Sequence, residues 1–189
     1  VRIIDVNLLP PREVAPLNLP NYDDWVLREA LHNCVAHQDY AQGGRILVTE
    51  SPDTLRFFNY GEFLPGSVDK VLHAAQPEQR YRNACLANAM VELDLMETVN
   101  SGVKGMFRKQ RERFFPLPDY AIEGPPSSVS VTIYGRTLDE RYVGALMTHT
   151  HLSLDEAVLL DQIQKGRPLA AGQLQRLRAK GLVEGRSPK

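Results

Sequence analysis

Apolar residues recur at helical spacing in the first third of the chain. They follow the i, i+3, i+4, i+7, i+8 pattern of a buried stripe: Leu27, Ala30, Leu31, Cys34 and Val35. Asp23 or Asn21 can cap the first turn, because either side chain can accept a hydrogen bond from a free backbone amide. This pattern predicts an amphipathic helix that buries the apolar stripe.

A second row of residues on the same helix is polar. Glu29, Asn33 and His37 are spaced four residues apart, so they lie on one helix face. With 3.6 residues per turn, this ridge is expected roughly opposite the apolar stripe. Such a ridge is typical of a solvated helix surface, and it also presents three side chains that can do chemistry.

Alternating apolar residues predict strands on both sides of this helix. Val1 to Leu9 indicates a strand, and the proline-rich stretch from Pro10 to Pro20 indicates a linker. Arg45–Glu50 and Thr54–Asn59 predict a hairpin around Ser51-Pro52-Asp53. Residues 128–134 alternate like a half-exposed strand.

Helical spacing returns in the second half. Asn83 is expected to cap a helix that turns Leu86, Met90 and Leu93 inward. From Leu152 onward the pattern predicts two further helices, joined through residues 166–168. Together these elements favour a two-layer α/β sandwich, a mixed sheet with helices on one side, followed by a small helical appendage.

Composition indicates one principal folded domain. The 189 residues are 43% hydrophobic and 24% charged with a formal net charge of −1, which is enough for a proper core. Neither a long apolar run nor a secretory leader is present, so a cytoplasmic protein is expected. Cys34 and Cys85 lack metal-type spacing, and we expect both to be buried and reduced.

The domain limits follow from these patterns. We expect an N-terminal strand and linker at 1–20, a principal domain at 21–140 and a basic helical extension at 141–189. The absence of an initial methionine suggests a piece of a longer protein.

Three segments occur in an order that resembles the GHKL ATPases, the family of DNA gyrase, the large heat-shock chaperones, MutL and the histidine kinases. The first is the E-x-x-x-N of Glu29 and Asn33, the second is Asn59-Tyr60-Gly61 at the end of a strand, and the third is the turn Asn100-Ser101-Gly102 before a helix. The match narrows to the bacterial RecG-related proteins described as DNA helicases or transcriptional regulators, in which such a module follows an AlbA-type domain. It covers roughly residues 20–134.

The resemblance implies a role for each segment. Glu29 would be the general base that activates water, and Asn33 would hold Mg²⁺ against the phosphates of ATP. Asn59 and Gly61 would form the adenine site, with the amide oxygen of Asn59 replacing the usual carboxylate as acceptor.

Further residues are expected around the phosphates, again by resemblance. The turn at Ser101 and Gly102 would offer backbone amides to phosphate, and Arg82, Lys104 and His37 are additional ligand contacts. Residues 61–82 would form a mobile lid over the nucleotide, although a plain surface loop fits the sequence equally well.

The sequence departs from the family pattern at several positions. Gln38, Tyr60 and Asn100 replace residues that are usual in the family, and no G-x-x-x-x-G-K-[ST] loop supports helicase activity. The module can therefore be an ATP-binding slow ATPase or switch, expected to form homodimers, or a degenerate scaffold within a DNA-binding regulator. A metallohydrolase using Glu29, His37 and Asp39 is a third alternative.

The C-terminal region is strongly basic. Between positions 165 and 189 seven lysines and arginines face one acidic residue, Glu184. Gln173, Arg176, Arg178 and Lys180 are therefore candidate nucleic-acid contacts. Residues 181–186 resemble the start of a wing, but the pattern gives two helices where a winged helix has three, so a packing hairpin is equally consistent.

In the basic run 104–113 we expect a solvated helix face with Met106 and Phe107 buried.

Overall fold

The computed structural model describes residues 1–4, 20–75, 80–96 and 102–185. The chain divides into two compact units. The helical unit comprises Val1–Leu19, Gln110–Leu117 and Arg136–Lys189, and the sheet unit comprises Pro20–Lys109 and Pro118–Gly135. Segment 110–117 thus groups with the two ends of the chain, whereas the predicted limits include it in the principal domain. The limits of independently folding domains stay a prediction.

The sheet unit contains a four-stranded sheet with the order β2-β3-β5-β4. Its strands are β2 Leu47–Ser51, β3 Thr54–Tyr60, β4 Asp119–Glu123 and β5 Ser128–Tyr134. The α/β sandwich is confirmed, but every pair in this sheet is antiparallel, so the predicted mixed sheet is wrong in that respect. The reason is connectivity: β2–β3 and β4–β5 are hairpins, and β5 runs back along β3.

The predicted hairpin is confirmed. Ser51 pairs with Thr54 and Leu47 with Phe58, leaving a two-residue turn at Pro52 and Asp53. Because side chains alternate along a strand, Phe57 turns to the face that packs against the helices.

The described ranges place four helices wholly or in part in the sheet unit: α1 Asp24–His37, α2 Val68–His73, α3 Ala84–Glu92 and α4 Gly102–Glu112. A 3-10 turn at Tyr40–Gln42 follows α1. Asp23 caps α1 as predicted, accepting a hydrogen bond from the Val26 amide at 3.1 Å. The buried residues of α1 are Val26, Ala30, Cys34 and Ala36.

Two apolar predictions for these helices are wrong. Leu31 of α1 is 40% exposed and Leu93 after α3 is 69% exposed. The buried row of α1 starts at Val26, which shifts it around the helix away from Leu31. In α3 the inward side chains are Ala87 and Met90. Asn83 occupies the N-cap position, where its carbonyl accepts from the Ala87 amide, but its side chain makes no hydrogen bond to its own helix.

A polar junction joins the end of α1 to the end of β3. The Gln38 side chain is 1% exposed; its amide nitrogen donates to the Gly44 carbonyl at 3.0 Å, and its oxygen accepts from the Tyr60 amide at 3.0 Å. The Asp39 amide donates to the Tyr60 carbonyl at 2.8 Å. The Asn83 side chain donates to the carbonyls of Ala36 and Gln38. Helix, strand and the start of α3 are thereby fixed at one point.

In its described residues, the helical unit contains three helices and a short antiparallel strand pair. Its elements are β1 Arg2–Ile3, α5 Glu140–Thr148, α6 Leu154–Gln164, α7 Ala171–Ala179 and β6 Val183–Glu184. The two helices predicted from Leu152 onward are confirmed as α6 and α7, but α5, which precedes them, was not predicted. A separate core forms around Tyr142, Leu160 and Leu177, each fully buried.

A buried carboxylate ties α6 to α7. Glu156 is 1% exposed at its side chain, and its Oε1 lies 2.5 Å from Lys180 Nζ and 3.4 Å from Arg176 Nη2. Its other oxygen accepts from the Ser153 amide at 3.0 Å, completing a capping box. Burial alone raises the pKa of Glu156, but the bonds from Lys180 and Ser153 and the charge of Arg176 outweigh it and lower the pKa to about 2.

A second buried pair holds segment 110–117 to α6. Asp161 and Lys165 approach to 2.7 Å with side chains 6% and 4% exposed. Asp161 accepts from the Leu117 amide at 2.9 Å, and Lys165 donates to the Leu117 carbonyl at 2.6 Å. Lys165, counted in the basic C-terminal region, is therefore an interior residue.

The two cysteines differ in their exposure to solvent. Both thiols are free; Cys34 is buried as predicted, but Cys85 is exposed, which corrects that prediction. None of the helices in the described ranges is long and apolar enough to span a membrane.

Replacing Glu156 with glutamine should destabilise the helical unit by roughly 2 to 4 kcal/mol near pH 7, because two cations and a helix cap lose their carboxylate. The pKa of Glu156 in the folded state lies below its ordinary value of 4.5. The contribution of the carboxylate to the free energy of unfolding is therefore complete above pH 4.5 and is lost as the pH falls toward 2. Urea unfolding from pH 7 down to pH 3 measures this. The exposed Glu140→Gln in α5 is the control, and an equal loss in both variants would contradict the role of Glu156.

Candidate functional site

The sheet unit encloses a cavity of about 510 Å³ between α1, α2, the start of α4 and the inner face of the sheet. Its floor is formed by strand residues, notably Phe57, Val131 and Tyr120, and α1 provides one wall. Phe63 lies against Tyr120 with ring centroids 5.8 Å apart. The cavity therefore combines an apolar floor with walls that carry polar side chains.

The polar ridge of α1 lines this cavity. Glu29, Asn33 and His37 are all wall residues, and so are Ala30 and Cys34 from the apolar stripe. The ridge and the stripe are thus neighbours facing one cavity, and their predicted placement on opposite sides of the helix is wrong. The helix turns its ridge inward because the buried row is centred on Val26 and Ala30 rather than on Leu31.

Glu29 orients the Asn33 side chain. The Asn33 amide nitrogen donates to the Glu29 carboxylate at 2.8 Å and to the Glu29 carbonyl at 2.7 Å. Because both bonds use the nitrogen, the amide oxygen of Asn33 is the atom left to accept or coordinate. A carboxylate and an adjacent amide oxygen are hard oxygen groups of the kind that Mg²⁺ prefers.

His37 closes the same wall. Its ring stacks on Tyr81 with centroids 5.6 Å apart, and its Nδ1 is buried without a hydrogen-bond partner among the described residues. Burial lowers the pKa of His37, and the Arg82 charge lowers it further. The imidazole is therefore held neutral at physiological pH.

Asn59 is placed at the end of β3, facing the cavity. It is 5% exposed, and its amide nitrogen donates to the Tyr60 carbonyl at 3.0 Å. Within the described part of the chain the amide oxygen accepts no hydrogen bond, so it is left as an acceptor at the cavity wall. Gly61 does not line the cavity; its backbone has φ of +128° and packs against the His37 carbonyl.

The cavity wall brings together some of the residues predicted to contact phosphate. Lys104 and Gly102 line the cavity, and Lys104 donates to the Ala74 carbonyl at 3.3 Å. Gly102 lies near the Glu29 carboxylate, since a Cβ there would be 3.8 Å from Oε1. Ser101 and Asn100 fall outside the described residues. Arg82 is not a wall residue and instead pairs with Asp39 at 3.8 Å.

Sequence reasoning missed several wall residues. Lys70, Arg80 and Arg108 join Lys104 as cations around the cavity, facing the acidic Glu29 and Glu62. Arg108 follows Lys104 by four residues, so helical spacing could have identified it. Lys70 and Arg80 gave no such signal, because both lie within the predicted lid of residues 61–82, where α2 was not recognised.

Tyr120 was missed because β4 was not predicted. Burial raises its pKa strongly, and the nearby Glu29 and Cys34 raise it further. Tyr81 also has a pKa raised by burial and then by Glu29. Two protonated phenols thus lie in the electrostatic neighbourhood of the Glu29 carboxylate.

The metallohydrolase alternative is not supported by the geometry. Glu29, His37 and Asp39 do not converge, and the described part of the chain holds no group of three His, Cys, Asp or Glu residues placed to bind a metal. Asp39 instead caps the 3-10 turn and bonds to Gln42 at 2.9 Å.

The predicted nucleic-acid residues of α7 all have partners within the chain. Gln173 accepts from the Ala170 amide at 3.0 Å, Arg178 donates to the Gly185 carbonyl, and Arg176 and Lys180 share Glu156. Arg176 and Lys180 nevertheless stay 50% and 53% exposed. In the basic run 104–113, the predicted burial of Met106 and Phe107 is confirmed. Lys104 and Arg108, however, line the cavity and do not belong to a solvated helix face.

Comparison with known families agrees with this architecture. Residues 43–133, just under half of the chain, match the family described as "Putative ATP-dependent DNA helicase recG C-terminal". The predicted resemblance to a GHKL-like, RecG-related family is confirmed over these residues. No curated protein and no solved structure gives a significant match. The α1 ridge precedes the matched segment, so its placement comes from the structure.

Replacing Gly61 with alanine should destabilise the sheet unit by about 2 kcal/mol or more, because φ there disfavours side chains. The new Cβ would also lie 2.8 Å from the His37 carbonyl and 3.0 Å from Arg82 Nε. Urea unfolding followed by Trp25 fluorescence measures the loss. Gly43→Ala, with φ of +65° but no atom within 4 Å, should cost only about 1 kcal/mol. Equal effects would show that the contacts at Gly61 are unimportant.

Proposed function

We propose that the sheet unit is an ATP-binding module that takes the nucleotide together with Mg²⁺ into the cavity beside α1. The observation that carries this proposal is the convergence of the Glu29–Asn33 pair, Asn59 and four cations on one cavity. The family match supports an ATPase-related module. In this proposal the module acts as a slow ATPase or a nucleotide-dependent switch, and the protein is cytoplasmic.

The residues present fit a nucleotide in size and chemistry. A cavity of about 510 Å³ lies within the roughly 300 to 1,000 Å³ typical of ligand sites. Lys70, Arg80, Lys104 and Arg108 can offset the charge of a triphosphate. The unpartnered amide oxygen of Asn59 can accept from the amino group of adenine, and the apolar floor can cover a base.

Mg²⁺ would be held by the Asn33 oxygen and would neutralise phosphate charge. Glu29 has two tasks in this arrangement. Its carboxylate keeps the Asn33 amide turned so that the oxygen faces the cavity, and it can accept a proton from a water aligned with the terminal phosphate. Lys104 and Arg108, on one face of α4, stabilise negative charge as it moves toward the leaving group.

Calorimetric titration with a non-hydrolysable ATP analogue tests the proposal. Wild type should bind in a Mg²⁺-dependent manner, and Asn33→Ala and Asn59→Ala should each weaken binding by about tenfold or more, equivalent to roughly 1.4 kcal/mol. Asn33→Ala should also abolish the Mg²⁺ dependence. Asn88→Ala, an exposed asparagine of α3 outside the cavity wall, is the matched control.

The opposite result has a clear meaning. If the folded wild-type chain does not bind the analogue at millimolar concentration, the sheet unit is the degenerate scaffold that the replacement of aspartate by Asn59 suggests. Circular dichroism of every variant separates lost binding from lost folding.

We further propose that the helical unit contacts DNA. The observation that favours this is the order of its elements, three helices followed by the strand β6, which pairs with β1, as in a winged helix. Glu156 fixes Arg176 and Lys180 in place while leaving about half of each side chain exposed. Such ordered cations suit phosphate contacts.

Fluorescence anisotropy with a labelled duplex tests DNA contact by the full chain. Binding should weaken with salt, and Arg176→Ala should lower the salt slope by about one unit. Arg28→Ala, which removes an exposed arginine from α1 of the sheet unit, should leave the slope unchanged. Equal slopes for wild type and Arg176→Ala would exclude Arg176 as a phosphate contact.

A further inference from the structure

The cavity of the sheet unit has two ends, and helix α1 sets the distance between them. At the β3 end, His37 lies beside Gly61, since a Cβ on Gly61 would be 2.8 Å from the His37 carbonyl oxygen. At the α4 end, Glu29 lies beside Gly102, where a Cβ would be 3.8 Å from its Oε1. Glu29 and His37 are about two turns apart on α1, or roughly 12 Å at 1.5 Å per residue. A single chemical group of a ligand therefore cannot contact both ends.

The two ends differ in the groups that they offer a ligand. Lys104 and Arg108 belong to the α4 end, because both lie on one face of that helix and line the cavity. Asn59 belongs to the β3 end, because the carbonyl of the next residue, Tyr60, accepts from the Asp39 amide at 2.8 Å, just after α1. A nucleotide bound as proposed above thus places its phosphates at the α4 end and its base at the β3 end, with the sugar next to the base.

Glu62 stands at the β3 end on a fixed stretch of backbone. The amide of the preceding Gly61 donates to the Ser127 carbonyl at 2.8 Å, and the following Phe63 packs on Tyr120 with ring centroids 5.8 Å apart. Glu62 lines the cavity and is also exposed to solvent. Its carboxylate is therefore held at the mouth of the cavity, at the end where the base and the sugar would lie.

The charge of Glu62 is not used by the fold. Within the described part of the chain its side chain forms no ion pair and accepts no hydrogen bond. Close to phosphates, a carboxylate would weaken nucleotide binding by repulsion. Next to the sugar it can accept hydrogen bonds from hydroxyls, as an acidic side chain does from the ribose 2′ hydroxyl in dinucleotide sites. Arg80, which lines the same cavity, has only donors and cannot be this acceptor.

We propose that Glu62 accepts hydrogen bonds from the ribose hydroxyls of the nucleotide, so that the site selects ribonucleotides over 2′-deoxyribonucleotides. Glu62 is then a specificity-determining residue, and this role rests on the proposed ATP site. It is separate from hydrolysis, because the reacting phosphate lies at the α4 end, beside Glu29.

Calorimetric titration with a non-hydrolysable ATP analogue and with its 2′-deoxy form tests this role. Wild type should bind the ribose form about tenfold more tightly, because a hydrogen bond to a charged group is lost with the 2′ hydroxyl. Glu62→Ala should bind both forms equally. Glu62→Gln keeps an acceptor oxygen without the charge, so its preference should fall to about threefold.

Two further variants serve as controls for the sugar preference. Glu92→Ala removes an exposed glutamate at the end of α3, outside the cavity wall, and should leave the preference unchanged. Asn59→Ala should weaken the binding of both forms by the same factor, because it removes a contact to the base. The ratio of the two affinities therefore separates sugar recognition from general effects on binding.

Failure of this role and failure of the ATP site give different results. If the folded wild-type chain binds neither form, the ATP site is absent and the role of Glu62 falls with it. If wild type binds both forms equally, the ATP site stands and sugar recognition by Glu62 is excluded. A preference that persists in Glu62→Ala, folded by circular dichroism, would also overturn the proposal, because another group would then read the sugar.

Discussion

The polar junction between α1 and β3 is the constraint on which the sheet unit depends. Gln38 is almost completely buried, so both ends of its amide must find partners, and they bond Gly44 on one side and Tyr60 on the other. Asn83 adds two bonds to carbonyls at the end of α1. An unpaired buried amide would cost about 1 to 3 kcal/mol, so helix and strand cannot slide past one another cheaply.

That fixed point explains why the cavity wall is polar and rigid. It holds the ridge of α1 at a set distance from Asn59, which directly precedes Tyr60, the last residue of β3. It also anchors Asn83, two residues after Tyr81, and the ring of Tyr81 stacks on His37. Gln38 departs from the residue usual in the family, yet it makes the structural bonds just described. A departure from a family motif is therefore no measure of lost function unless the contacts of the new residue are known.

Local patterns predicted what local physics decides. The β2–β3 hairpin follows from period-two alternation around Pro52-Asp53, and the start of α1 follows from the capping by Asp23. Strand β4 was missed because its apolar residues are consecutive and do not alternate with polar ones, and α2 was missed because six residues carry little periodicity. The sequence could not show that Arg80, and not the predicted Arg82, lines the cavity. Tertiary packing alone decides which of the two arginines turns inward. Leu31 shows the same limit, because a one-position shift of the buried row changes which side chains face solvent.

Cys34 gives the cavity a property that none of its charged residues has. It lies in the cavity wall on the buried row of α1, and burial raises the pKa of its thiol to about 12. Because the thiolate is the reactive form, Cys34 is inert while the wall stays closed, whereas exposed Cys85 is open to reagents. The two thiols therefore differ in what limits their alkylation. The rate at Cys85 is set by the reagent concentration, whereas the rate at Cys34 is set by how fast and how far the sheet unit opens. The alkylation rate of Cys34, compared with that of Cys85, therefore reports how often the sheet unit opens.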